Sequence, residues 1–273
     1  SFSLGNGLRV IVQPMSAVQS AALTLMLPGG SIYDIPGKFG TGAILAEMIP
    51  RGAGQFSARE LSSAMDNLGL QRGVSGGVGY ITVSAATTAD RLMDAIPLIA
   101  TMVLQPHLAE DQFEPAQELV LQGLHALEDE PKQRLGHYLR ACSYAAPWSN
   151  PAEGILADVE SIQLADVVNH HKSLILPNET VLGIAGNVDV PAVKEALTAA
   201  LGDWQAGDLP ALVTGGTDAS PKHVEHDSTQ THIGVAWETV PYRHERYFEA
   251  WATVSLLSGG MSSRLFTEVR EKR

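Results

Sequence analysis

The chain has 273 residues, of which 45% are hydrophobic and 18% are charged, a composition typical of a folded globular protein rather than a disordered one. Thirty acidic against 18 basic residues give a formal net charge of −12, which disfavours binding to nucleic acid or to an anionic membrane surface. Cys142 is the only cysteine, so an internal disulfide and a thiolate metal cluster are excluded. No run of about 18 apolar residues occurs, so no membrane span is expected.

Two strands are predicted at the beginning of the chain. The segment 7–14 is a β-branched run that follows the turn Asn6-Gly7 and ends at Pro14, and the segment 20–27 is a second apolar run. Because these runs follow each other closely, we expect them to pair as antiparallel neighbours.

Two helices and a glycine-rich segment follow. The segment 40–48 has the composition of a helix with one apolar side. Ser57 and Glu60 have the spacing of a capping box, which predicts a helix through Leu68. A mobile loop is predicted from four glycines, Gly73, Gly76, Gly77 and Gly79.

Helices dominate from residue 80 to residue 201. Short strands are predicted at 80–84 and 180–185. Helices are predicted at 90–104, 110–128, 132–144, 162–174 and 190–201. Runs of helices together with strands in hairpin-like pairs predict an α+β fold, in which helices pack on a mainly antiparallel sheet.

A change of composition after Trp204 predicts a domain boundary. Residues 205–221 are rich in glycine, proline and small polar residues, which predicts a linker between a first domain at 1–204 and a second at 222–273. The elements predicted after the linker are a strand at 229–237, a helix at 245–257, a break at Gly259-Gly260 and a final helix from Ser262. These are too few to close a core, so we expect the second domain to be incomplete.

Short motifs recur along the chain in an order that is specific as a set. They include Asn6-Gly-Leu-Arg-Val-Ile-Val12, Gly30-Ser31, Gly40-x-x-x-x-Leu45-x-x-Met48, Arg51-Gly52, Glu160-Ser-Ile162, Pro177-Asn178, Ala185-Gly186-Asn187-Val188 and Gly259-Gly260-Met-Ser-Ser-Arg-Leu-Phe266. The ordered set resembles the insulinase and mitochondrial-processing-peptidase group of zinc peptidases. The resemblance covers essentially the whole chain and implies a metallopeptidase-like domain followed by the start of a second, homologous one.

Members of that group carry an inverted zinc motif, His-x-x-Glu-His, on the helix after the Gly-Ser turn. Two histidines four residues apart lie on one helix face and chelate one ion, the glutamate acts as general base, and a later glutamate is the third ligand. Laid on this chain without gaps, the motif places the histidines at Ala43 and Glu47, the base at Ala46 and the third ligand at Gly123. The resemblance therefore implies a lost zinc site, no catalytic residue and no cofactor. The alternative is that both alanines are ordinary helix formers and that Glu47 is a solvated carboxylate.

The resemblance also implies an arrangement found in two-chain members of the group. One chain carries zinc, and its partner lines the facing wall of a closed chamber. It contributes a glycine-rich loop that engages the substrate and an arginine that helps to hold the peptide carbonyl near zinc. Gly259, Gly260 and Arg270 match those elements. Helix termination at the glycines and a solvent-facing Arg270 are the alternatives.

The resemblance thus implies a non-catalytic, substrate-binding or regulatory subunit that forms a heterodimer with an active zinc peptidase subunit of the same family and contacts a peptide substrate. A purely structural assembly subunit and a hydrolase with a different site are the alternatives. A chain with one cysteine suits an oxidising periplasm, which is the expected location, with the cytoplasm and an organellar matrix as alternatives.

Overall fold

A computed structural model describes residues 1–212, 214–217, 220–225 and 229–272. The chain divides into two compact units, Ser1–Ile233 and Gly234–Arg273. The predicted linker 205–221 lies within the first of these ranges, and its described part is bonded to that unit. The side-chain amide of Asn178 donates to the carbonyl of Gly207 at 2.9 Å, for example. The division into domains at 1–204 and 222–273 stays a prediction.

One mixed sheet forms the centre of the first unit. Its strands within the described residues are β1 (Phe2–Ser3), β2 (Arg9–Pro14), β3 (Ser20–Pro28), β4 (Gln71–Gly76), β5 (Tyr80–Thr88) and β6 (Val181–Gly186). Their order across the sheet is β1-β2-β6-β3-β5-β4, and every pairing is antiparallel except that of β2 with β6. The α+β class and the mainly antiparallel sheet are therefore confirmed.

The predicted pairing of the first two long strands is wrong. The strand β6 lies between β2 and β3, so that Ile184 is the partner of Val12 on one side and of Leu23 on the other. The segment between β2 and β3 is long enough for the chain to pass over one strand width, which is about 4.8 Å. The strand β6 is an inner strand of the sheet, and its side chains Leu182 and Ile184 are buried.

Helices cover one face of the sheet. They are α1 (Thr41–Met48), α2 (Ala58–Asn67), α3 (Leu92–Leu104), α4 (Glu110–Glu128), α5 (Pro131–Ser143), α6 (Leu156–Ser161), α7 (Leu164–Leu174) and α8 (Val190–Leu201). The capping box is confirmed, because the hydroxyl of Ser57 accepts from the N–H of Glu60 at 3.3 Å and the Glu60 carboxylate accepts from the N–H of Ser57 at 2.9 Å. The helix predicted at 162–174 begins two residues later, at Leu164, and a separate short helix precedes it.

The segment predicted as a mobile glycine-rich loop is instead largely strand. Gly73 and Gly76 belong to β4, which pairs with β5, while Gly77 and Gly79 form the turn between these strands. A Cβ atom at Gly76 would lie 3.3 Å from the Cα of Ala43, so the glycine lets β4 approach α1 closely. Glycine here serves packing rather than flexibility.

Alternation along β3 shows how the core is built. Leu23, Leu25 and Leu27 are buried, whereas the residues between them face solvent, so that the sheet buries only one of its faces. The helix α1 packs against the edge strand β4 and against α4 and α7. It is therefore enclosed by the sheet on one side and by helices on the others.

The second unit has little regular structure among its described residues. The strand predicted at 229–237 is wrong, since these residues form no ladder and Trp237 is 80% exposed. A single strand without a partner leaves its backbone groups unpaired, so an apolar alternation alone does not form one. The helix α9 (Tyr247–Ser258) and the break at Gly259-Gly260 are confirmed. The last predicted helix starts at Arg264 and becomes a π-helical turn over Phe266–Glu271.

In the part of the chain that the structure describes, no helix is both long enough and apolar enough to cross a membrane.

Candidate functional site

The turn at Gly29-Gly30 precedes the helix α1 and is held in place by backbone hydrogen bonds. The N–H of Ser31 donates to the carbonyl of Gly77, and the N–H of Ile32 donates to the carbonyl of Val78, each at 3.0 Å. A Cβ atom at Gly30 would lie 2.5 Å from both carbonyl oxygens, so no other residue fits there without a shift of the backbone. The turn is thereby held against the tip of the β4–β5 hairpin.

Asp34 caps α1 from inside the core. Its carboxylate accepts from the N–H of Gly40 at 2.8 Å through Oδ2 and from the N–H of Gly42 at 3.0 Å through Oδ1. These N–H groups belong to the first turn, where a helix offers its amides no partner of their own. Burial raises the pKa of the Asp34 carboxyl to about 7, and the hydrogen bonds from Gly40 and Gly42 oppose that shift.

His170 joins α7 to the same turn. Its Nε2–H donates to the carbonyl of Gly29 at 2.8 Å, and the same nitrogen lies 3.8 Å from Oδ1 of Asp34. The neighbouring His171 donates instead to the carbonyl of Val103, on α3, at 2.9 Å. Burial lowers the pKa of both imidazoles, which keeps them neutral near pH 7. Both histidines therefore bind backbone and are structural.

The predicted motif positions lie together on α1. Ala43 is half-buried beside Gly76 of β4, and Ala46 is buried with 3% of its surface exposed. Glu47 is half-buried, and within the described residues no donor or cation contacts its carboxylate. The backbone carbonyl of Glu47 accepts from Nε of Arg51 at 3.0 Å. This helix face thus carries two methyl groups and one carboxylate.

A cleft of about 540 Å³ opens between α1 and the edge strand β4. Its lining residues are Ala46, Glu47, Pro50, Leu70, Gln71, Arg72, Gly73, Val74 and Met102. The guanidinium of Arg72 is held on α2, 2.7 Å from the carboxylate of Asp66 and 2.6 Å from the hydroxyl of Ser62. Since β4 is the last strand of the sheet as described, the outer backbone groups of its edge are free to pair with another extended segment.

Gly123, the fourth motif position, lies on α4, which packs against α1. It is exposed, and a Cβ atom added to it would meet no atom within 4 Å. Among the described residues, no group of three or more His, Cys, Asp or Glu side chains is placed to hold a metal ion. A catalytic zinc ion takes three protein ligands, so Ala43, Ala46, Glu47 and Gly123 do not fit it.

Gly259, Gly260 and Arg270 lie in the second unit. The N–H of Gly259 donates to the carbonyl of Ser255 at 2.8 Å, which ends α9. The guanidinium of Arg270 is exposed and lies 5.1 Å from the ring centroid of Phe266. Helix termination is thus an observed role of Gly259, and a substrate contact by Gly259, Gly260 and Arg270 stays a prediction.

The structural roles of Asp34 and His170 were not predicted from the sequence, in which the adjacent pair His170-His171 indicates only that the two side chains cannot chelate one ion together. Asp34 and His170 give no local signal, because each acts on backbone of a turn or helix that only the fold brings near. The one hint for Asp34 is its place in the segment between the glycine turn and Gly40.

Family comparison divides the chain into two matched parts. Residues 9–154 match the family described as Insulinase (Peptidase family M16), and residues 161–273 match the family described as Peptidase M16 inactive domain. Among curated relatives, an uncharacterized zinc protease of Mycobacterium tuberculosis is 28% identical over 278 residues, which cover 99% of this chain and 64% of the relative. One of Bacillus subtilis is 22% identical over 274 residues, which cover 100% of this chain and 67% of the relative. The chain thus spans less than two thirds of the mycobacterial relative.

Solved structures share the fold. A peptidase M16 inactive domain from Pseudomonas fluorescens matches with a TM-score of 0.86 at 21% identity, covering 100% of this chain and 67% of that one. A protease from Helicobacter pylori matches with a TM-score of 0.82 at 20% identity, covering 99% and 68%.

Proposed function

Because the chain belongs to the insulinase (peptidase M16) family, we propose that it is a non-catalytic, substrate-binding or regulatory subunit of a heterodimeric zinc peptidase. The observation that carries this proposal is the cleft beside α1. Ala46 and Glu47 line this cleft, and the motif alignment assigns them, together with Ala43 one turn earlier on α1, to the positions of the inverted zinc motif. A peptidase site without metal ligands or a general base can still bind a peptide.

Peptide binding is supported by the exposed edge of β4. An extended peptide adds to a sheet edge through backbone hydrogen bonds, while side-chain pockets select among sequences. The apolar part of the cleft, at Leu70, Val74 and Met102, offers such contacts. The Glu47 carboxylate, which lines the cleft, favours a basic residue of the peptide, because no cation of the described residues forms an ion pair with it.

Hydrolysis would depend on the partner. A zinc-bearing chain of the same family would supply the metal ion and its activated water. This chain would contribute the chamber wall opposite, with Arg270 and the Gly259-Gly260 loop towards the peptide. A guanidinium stabilises negative charge on a peptide carbonyl best where water is excluded.

The decisive experiment compares this chain, a family chain that carries His-x-x-Glu-His, and their mixture. Each is tested for cleavage of a peptide library with and without a chelator. We expect cleavage by the mixture to exceed the sum of the separate chains, and the two chains to copurify. Chelator-sensitive cleavage by this chain alone would contradict the proposal. Cleavage by this chain that persists with chelator would instead favour a hydrolase with a different site.

Arg270→Ala separates a substrate-binding subunit from a purely structural one. We expect this change to lower kcat/KM of the mixture by about a hundred- to a thousandfold, as loss of a group that stabilises an oxyanion does. Arg243→Ala, at an exposed arginine of the same unit outside the Gly259–Phe266 motif, is the control and should leave kcat/KM unchanged. Unchanged kcat/KM for Arg270→Ala, with copurification retained, would favour the structural assembly subunit.

The motif alignment predicts that substitutions at three positions will create a zinc site. In the combined variant Ala43→His, Glu47→His and Gly123→Glu, three ligands should meet at one point, so we expect one zinc ion to bind per chain. Zinc content after dialysis, measured by mass spectrometry, checks this. Omitting Ala43→His removes one ligand and is the matched control. No gain of zinc in the folded triple variant would show that the motif does not align at these positions.

A further inference from the structure

The helix α5 and the loop after it differ in charge from the rest of the chain. Residues 131–152 contain no Asp or Glu, although the chain has 30 acidic residues. The same segment carries Lys132, Arg134, His137 and Arg140. It is therefore a local basic region on an acidic protein.

The basic side chains of α5 lie on one side of the helix. Arg134, His137 and Arg140 are spaced three residues apart, which places them within about 120° of helix surface. No residue of α5 is buried: Arg140 is exposed, whereas Arg134 and His137 are half-buried. Three aromatic residues beside it are exposed as well, Tyr138 at 39%, Tyr144 at 53% and Trp148 at 43%. We refer to Arg134, His137, Tyr138, Arg140, Tyr144 and Trp148 as the α5 face.

Two carboxylates of the chain already contact this face. Glu128 lies 2.8 Å from the guanidinium of Arg134, and Glu153 lies 3.4 Å from Nε2 of His137. Arg140, by contrast, has no carboxylate partner among the described residues. Its guanidinium lies 5.3 Å from the ring centroid of Tyr144 and donates to the carbonyl of Trp148 at 3.4 Å. Two of the three basic residues on this side of the helix are thus paired with carboxylates of the chain. Arg140 is the position at which a carboxylate of another molecule can pair.

We propose that the α5 face binds a short acidic peptide segment of a partner protein. Carboxylates of the segment would pair with Arg140 and its neighbours, and Tyr144 and Trp148 would cover the apolar parts of the segment. A long polyanion is disfavoured, because Glu128, Asp129 and Glu130 lie at one end of the basic region and Glu153 at the other. The net charge of −12 adds to that repulsion for nucleic acid and anionic membranes. No residue of the α5 face lines the cleft at α1, so this inference goes beyond the proposed function.

The test measures fluorescence anisotropy of a fluorescein-labelled peptide rich in Asp and Glu, titrated with the 273-residue chain. The peptide with Asn and Gln in place of its acids is the ligand control. We expect the acidic peptide to bind and the neutral one not to bind. Arg140→Glu should weaken binding by about tenfold or more, because it places like charges opposite each other. Arg59→Glu, the same charge change on an exposed residue of α2, is the protein control and should leave the Kd unchanged.

Trp148→Ser provides a second variant that keeps the charge, and it too should weaken binding. Circular dichroism of each variant shows whether α5 is still folded. Three results would overturn the inference: no anisotropy change with the acidic peptide, an equal loss for Arg59→Glu and Arg140→Glu, or tighter binding of a single-stranded oligonucleotide or of anionic lipid vesicles than of the peptide. None of these measurements uses zinc or a zinc-bearing chain, so they succeed or fail independently of the proposed subunit role.

Discussion

Asp34→Ala is expected to lower the free energy of unfolding by about 3 kcal/mol, because two buried N–H groups lose their acceptor at the start of α1. The Asp34 side chain is fully buried, so water does not readily replace it. Urea unfolding followed by circular dichroism measures the loss. Asp34→Asn is the matched control: its amide oxygen can still accept one of the two hydrogen bonds, so its loss should be smaller. Equal stability of Asp34→Ala and the unchanged chain would show that the carboxylate does not hold the helix.

The unfolding free energies of the unchanged chain and of Asp34→Asn should depend differently on pH. Burial raises the pKa of Asp34 from 3.8 to about 7 in the folded chain. The stabilisation linked to that shift is present below about pH 4 and is lost as the pH rises through about 7. Asp34→Asn removes this contribution, so it should destabilise most at low pH and progressively less up to pH 8. A difference in unfolding free energy that is constant from pH 4 to pH 8 would contradict the raised pKa.

The buried histidines act in the opposite direction. Burial lowers the pKa of His170 and His171 below the ordinary value of 6.5. Their contribution is present above about pH 6.5 and is lost as the pH falls below it, because the unfolded chain then takes up the protons. Since both histidines remain in Asp34→Asn, their effect largely cancels in the comparison of the two proteins.

Gly42→Ala is expected to lower the free energy of unfolding by about 3 kcal/mol, because the added methyl overpacks the core. Its Cβ would lie 2.4 Å from the carbonyl oxygen of Gly29, which also accepts the hydrogen bond from His170. In an ordinary helix interior the same change stabilises by about 0.5–1 kcal/mol. The sign of the effect is therefore reversed by one contact.

Gly123→Ala is the matched control for this reversal. Gly123 also lies within a helix, and no atom stands within 4 Å of an added Cβ, so we expect the ordinary stabilisation there. Thermal and urea unfolding of both variants are the measurements. If Gly42→Ala were as stable as Gly123→Ala, α1 could move away from the glycine turn without cost, and the close packing at its N-terminus would not limit stability.

Local patterns predicted the helices and the capping box well. The periodicity of α3 and α4 and the pair Ser57 and Glu60 depend only on residues near in sequence. Strand neighbours were harder, because β2 and β3 are separated by a strand from much later in the chain. The strand β4 was missed since its glycines favour a loop in isolation, whereas the approach of Ala43 to Gly76 favours glycine in the folded sheet.

The candidate site was predictable only in part. The ordered family motifs led to α1 and to residues 43, 46 and 47, because those motifs are short and local. The buried contacts that hold α1 could not be found in this way. His170 reaches a carbonyl 141 residues earlier in the chain, and no spacing rule connects the two.

The position of β6 in the sheet affects when the sheet can form during synthesis of the chain. Both β2 and β3 pair with this strand, and it is synthesised more than 150 residues after them. Until β6 has been synthesised, these two early strands lack their shared neighbour, and the backbone N–H and C=O groups that will pair with it stay unpaired. Contacts over such long separations are formed slowly, and unpaired strand edges are prone to aggregation. The first unit therefore completes its sheet late, after most of its helices have left the ribosome.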